Sequence, residues 1–99
     1  MTRTSTLKIH NPATGVLLAE PNADDDASVA AKATAARVAQ PAWAHVPLAE
    51  KLAMMQRFRA GIVAEFDALA HTLTLEVGKP IAQSRNELNG LLPRIDFFC

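Results

Sequence analysis

The chain has little of several things. It carries one cysteine, Cys99, which excludes an internal disulfide and fits a reducing cytosol. Its ten basic and ten acidic residues cancel, so no bulk charge draws it to nucleic acid or to an anionic membrane surface. No apolar run approaches the ~20 residues that a membrane-spanning helix requires. The polar opening, Met1 to Thr6, contains Arg3 but leads into no apolar stretch of the kind a secretory signal needs. Those six residues read as a disordered start. Aromatic residues number only five, one Trp and four Phe, and much of the apolar content is alanine. Large anchors for a core are therefore scarce. At 99 residues the chain makes one domain at most.

What is present is well patterned. Leu7–Ile9 and Val16–Ala19 are short apolar runs on either side of Asn11, Pro12, Ala13, Thr14 and Gly15. Proline presets one turn dihedral and glycine permits positive φ, so the segment predicts a β-hairpin with a tight connection. Pro21 and Asn22 close the second strand. Asp24, Asp25 and Asp26 then supply capping oxygens and negative charge for a helix start. That helix is expected over Ala27 to Gln40, with Val29, Ala33 and Ala36 on a narrow small-residue stripe. Pro41 is expected to end it and Trp43 to plug the corner. Pro47 suits the opening of the next helix. Apolar positions recur at Leu48, Leu52, Met55, Ile62, Phe66, Leu69 and Leu73, a helical spacing interrupted by Arg59. Asp67 could cap a restart, so the pattern allows one long helix or two abutting ones. Gly78 reads as a C-terminal cap, followed by Pro80. A last helix carries Ile81, Leu88, Leu91, Ile95 and Phe98, and Pro93 within it predicts a kink or break near Leu92. Its apolar stripe is still running at Cys99.

The predicted fold class is α+β locally: a hairpin over the N-terminal strands, then three or four helices. The candidates for chemistry are sparse. Gly78-Lys79 is not the end of a phosphate loop, because Leu73 and Pro80 stand where that loop needs a glycine and a Ser or Thr. His10, His45 and His71 lack metal-ligand spacing. Cys99 has no histidine near it in sequence to act as its base and reads as an ordinary thiol. Glu76 stands out. It lies in the last turn of a predicted helix, where a carboxylate faces the negative end of the dipole at a cost of about 0.3–1 kcal/mol. A cation nearby would compensate, and Lys79 or Arg85 could supply it as a local ion pair.

Several motifs occur in a particular order: NPATG (Asn11 to Gly15), QPAW (Gln40 to Trp43), PLAEK (Pro47 to Lys51) and LTLEVGKP (Leu73 to Pro80). In this order they resemble the N-terminal segment of the NAD(P)-dependent aldehyde dehydrogenases, over Ile9 to Cys99. SRNE (Ser84 to Glu87) and IDFF (Ile95 to Phe98) look most like the succinate-semialdehyde dehydrogenase branch. Three features depart from the family pattern: Val16 after the turn glycine, a second strand one residue short before Pro21, and Pro93 inside the last helix.

The resemblance implies a parent enzyme in which a cysteine thiolate attacks an aldehyde, hydride passes to NAD or NADP, and water releases the acid. It places the catalytic cysteine, the general base and the dinucleotide-binding glycines past Cys99. No catalytic or cofactor-binding residue is therefore assigned to residues 7–99, the expected N-terminal part of the dehydrogenase domain. It implies a peripheral place in an α/β dinucleotide-binding domain, near the substrate entrance. Its partners would be the rest of the chain and a small aldehyde, in a cytoplasmic homo-oligomer without nucleic acid or membrane. It also implies a structural sodium or potassium ion held by Glu76 with the backbone carbonyls of Ile9 and His10. On this reading the 99 residues are an inert fragment of an oxidoreductase. The alternatives are a free-standing helical module that binds a partner through its exposed stripe, or a gene remnant without catalysis.

Overall fold

The computed structural model describes residues 5–99. A two-stranded antiparallel hairpin, β1 (Ile9–His10) and β2 (Leu17–Ala19), precedes four helices: α1 (Asp26–Ala44), α2 (Leu48–Ala64), α3 (Phe66–Val77) and α4 (Ile81–Phe98). The hairpin register is irregular. Ile9 faces Ala19 and His10 faces Leu17, so one extra residue, Leu18, stands in the second strand. Such a bulge re-aims the side chain it holds. Leu18 is half-buried while Leu17 and Ala19 are exposed. The ribbon continues beyond the named strands: Leu7 N–H donates to Pro21 O at 2.8 Å, Ala23 N–H to Ser5 O at 2.8 Å, and Thr6 bridges Asn22. The disordered start expected over Met1–Thr6 falls mainly outside the described residues. At its edge, Ser5 and Thr6 are hydrogen-bonded to the ribbon.

The aspartate run starts α1 through its middle member. Asp25 accepts from Ser28 N–H at 2.8 Å, and the Ser28 hydroxyl accepts from Asp25 N–H at 2.9 Å, a reciprocal capping box. Asp24 binds Lys32 with both carboxylate oxygens at 2.8 Å.

Neither helix-interior proline stops its helix. α1 does not stop at Pro41 but runs on to Ala44. Proline in the final turn forfeits a single backbone bond there. The chain then closes with tight turns, His45 N–H to Ala42 O and Val46 N–H to Trp43 O, while the His45 ring Nδ1–H donates to Pro41 O at 2.7 Å. Of the kink or break expected near Leu92, the break does not occur: α4 runs through Pro93 to Phe98. Asn89, whose carbonyl loses its helical partner, is exposed, so water can replace the missing donor. The alternatives for the middle region resolve as two abutting helices. Glu65 is the junction residue, without a side-chain cap bond, and Asp67 lies in the first turn of α3 rather than at its cap.

Packing is concentrated where α3 lies against α4. Ala70 and Ser84 are fully buried, and Ile62 and Ile95 nearly so. Ser84 is the only buried polar residue among those described. Its hydroxyl meets Thr74 Oγ1 at 2.8 Å, so neither oxygen is orphaned. Arg59, which interrupts the apolar stripe of α2, reaches across to α4 and grips Asp96 with two bonds, Nε to Oδ1 at 2.8 Å and Nη2 to Oδ2 at 3.1 Å. The stripe is broken because that position ties two helices together.

The remainder is open. α1 buries no residue, and its alanine stripe has no covering neighbour. Trp43 is 42% exposed and plugs the α1–α2 corner only partly, with Lys51 Nζ 5.2 Å from its ring centroid. Leu48 and Phe98, expected on apolar stripes, are mostly exposed. The molecule measures 47 × 45 × 17 Å. The short dimension is less than half of either of the others, so the molecule is a flat slab and not a globule. The radius of gyration, 17.9 Å, exceeds the ~13 Å of a compact chain this long. The accessible surface is 7823 Å². A globule of the same mass would expose ~5,500 Å², so about 2,300 Å² is in excess.

Candidate functional site

The two motifs at opposite ends of the chain meet in space. The hairpin turn is internally fixed: Asn11 Oδ1 accepts from Ala13 N–H at 2.8 Å, Gly15 N–H donates to Asn11 O at 2.7 Å, and Asn11 N–H to Val16 O at 2.8 Å. This side-chain turn, with Gly15 at φ 76°, holds the Pro12 ring outward as a rigid knob. α3 ends at Gly78, which adopts the left-handed conformation at φ 81° and donates its N–H to Thr74 O. The Pro12 ring sits directly on Gly78. A Cβ added there would lie 2.6 Å from Pro12 Cγ. Glycine is needed twice over, for its dihedral and for its missing side chain.

Glu76, Ile9 and His10 flank this contact, each within three residues of it along the chain. Glu76 is exposed in the last turn of α3, a turn that holds no basic residue. Neither cation proposed for a local ion pair serves it. Lys79 pairs with Glu87 of α4, and Arg85 leans toward Asp67 at 3.8 Å. Ile9 is half-buried and His10 exposed, both in the hairpin ladder. Along the chain, Glu76 stands two residues before Gly78, and Ile9 and His10 stand three and two residues before Pro12.

Other candidates are dispersed. His71 is exposed on α3, His45 caps α1 through its ring, and Cys99 is a free, exposed thiol at the chain end. Among the described residues no three His, Cys, Asp or Glu side chains gather as a metal cluster. The Lys32 ammonium and the Ser28 hydroxyl, both bonded to Asp24, hold its carboxyl below the usual aspartate range. That device belongs to the start of α1, not to the junction.

The glycines do not fit a dinucleotide. Pyrophosphate needs a glycine-rich turn leading from a strand into a helix N-terminus. Here Gly15 is in the hairpin turn, Gly61 and Gly90 lie inside helices, and Gly78 ends one. Sequence reasoning missed the knob-on-glycine contact of Pro12 and Gly78, the Thr74–Ser84 pair and the Lys79–Glu87 bridge. Only the Arg59–Asp96 clamp left a signal, the interrupted stripe.

The family model for aldehyde dehydrogenases matches residues 1–99, the whole chain. The chain belongs to the aldehyde dehydrogenase family. It is 34% identical over 92 residues to a 3,6-anhydro-alpha-L-galactose dehydrogenase of Streptomyces coelicolor, which covers 93% of this chain and 19% of that protein. It is 33% identical over 87 residues to an N-succinylglutamate 5-semialdehyde dehydrogenase of Novosphingobium aromaticivorans, covering 88% of this chain and 18% of the relative. An enzyme of the same name from Cronobacter sakazakii is 34% identical over 89 residues, 90% of this chain and 18% of its own length. The chain thus spans less than a fifth of these relatives, in their N-terminal region. None of the three bears the succinate-semialdehyde name that SRNE and IDFF suggested. No solved structure matches the chain. No described helix is long and apolar enough to cross a membrane.

Proposed function

We propose that these residues are the N-terminal part of a cytoplasmic oxidoreductase that oxidises a small polar aldehyde to a carboxylic acid with NAD or NADP. Their role in it is scaffolding at the edge of the dinucleotide-binding domain; the reacting groups lie elsewhere in the parent. The observation that carries this reading is the flat, open architecture of a family member that spans less than a fifth of its relatives. An excess surface of about 2,300 Å² is more than a standard protein interface buries in total, ~1,600 Å². The names of the relatives favour a semialdehyde or an anhydro sugar as substrate. The parent is expected to be a homo-oligomer.

The test is complementation. The 99-residue chain is co-expressed with the Cronobacter sakazakii relative from which the matching segment has been deleted. Aldehyde-dependent reduction of NAD or NADP should appear only with both pieces, and the chain alone should self-associate or bind a dye for exposed apolar surface. A well-folded monomer with a sharp thermal transition, and no binding to the remainder, would overturn the reading in favour of a free helical module.

The Pro12–Gly78 contact supports a finer proposal. Glu76, with the Ile9 and His10 carbonyls, holds a sodium or potassium ion that offsets the unfavourable helix end. Sodium or potassium should raise the melting temperature of the complemented enzyme above its value in a large organic cation. Glu76→Gln should erase the difference. Equal melting temperatures in all three salts would count against the site.

A further inference from the structure

We draw no further inference here: the strongest candidate, the apolar groove between α3 and α4 lined by Leu69, Leu73, Leu88 and Leu91, is part of the bare surface already assigned to the rest of the dehydrogenase, and nothing in the structure favours another occupant.

Discussion

Replacing Gly78 by alanine should unlock the junction between the hairpin and the α3–α4 pair. Two costs add. A non-glycine residue at φ 81° meets a left-handed penalty of roughly 1–2 kcal/mol. The new Cβ would also stand 2.6 Å from Pro12 Cγ, closer than carbon atoms pack, so the hairpin must shift. Overpacking of this kind costs about 1–3 kcal/mol. Gly15 is the internal control. Its φ of 76° carries the same backbone penalty, but no atom lies within 4 Å of its added Cβ. Gly15→Ala should therefore cost only the first amount. Hydrogen exchange at the amides of the last turn of α3 and the first turn of α4 reads the local opening directly. Exchange there should speed up in Gly78→Ala by ~5- to 150-fold more than in Gly15→Ala, at tenfold per 1.4 kcal/mol. Pro12→Ala removes Cγ and Cδ, leaving only the Cβ, which is 3.5 Å away. In that background Gly78→Ala should lose its steric excess, and the double-mutant cycle should show coupling of about 1–3 kcal/mol. Equal effects at Gly15 and Gly78, or no coupling to Pro12, would refute the knob-on-glycine account.

The Thr74–Ser84 pair should show the asymmetry of paired hydroxyls: Thr74→Val alone leaves the buried Ser84 oxygen unpartnered and should cost ~1–3 kcal/mol, Ser84→Ala leaves only the half-buried Thr74 oxygen and should cost less, and the double substitution should cost less than the two single ones added together. The same exchange experiment, read across α3 and α4, checks it, and strict additivity would count against the pair. Asp24 makes the start of α1 sensitive to acid. Because Lys32 and Ser28 hold its folded pKa below the unfolded value, its contribution is complete above the unfolded aspartate range and is lost as pH falls through the lower folded value. A carboxyl titration by NMR should find Asp24 below ordinary aspartates, and Lys32→Met should move it back up. An unmoved Asp24 in that variant would remove Lys32 as the cause.

The local elements were legible because their signals are local. Asp25 and Ser28 cap a helix within one turn, Gly78 ends another by its own φ, and the spacing from Leu48 to Leu73 marks helix whatever it packs against. The family was legible too, through motifs whose order survives without any knowledge of their contacts. Pro41 and Pro93 do not stop their helices, although propensity weighs a missing backbone bond as though the helix were infinite. Pro41 lies in a terminal turn closed by the His45 ring, and Pro93 frees a carbonyl that water can reach.

Apolar periodicity identified the faces of α2 and α4 but not which of their residues are covered. Leu48 and Phe98 look like core in a pattern and stand exposed in the fold, since burial depends on what lies opposite. The sequence by itself determined the hairpin, the helix stripes and the aldehyde dehydrogenase kinship, because each rests on residues near one another in the chain or on motif order. Only the tertiary structure decided that Pro12 rests on Gly78, that Arg59 clamps Asp96 and that Lys79 serves Glu87 rather than Glu76. Those contacts join residues 8 to 66 positions apart, and no rule of local spacing sets where distant side chains arrive.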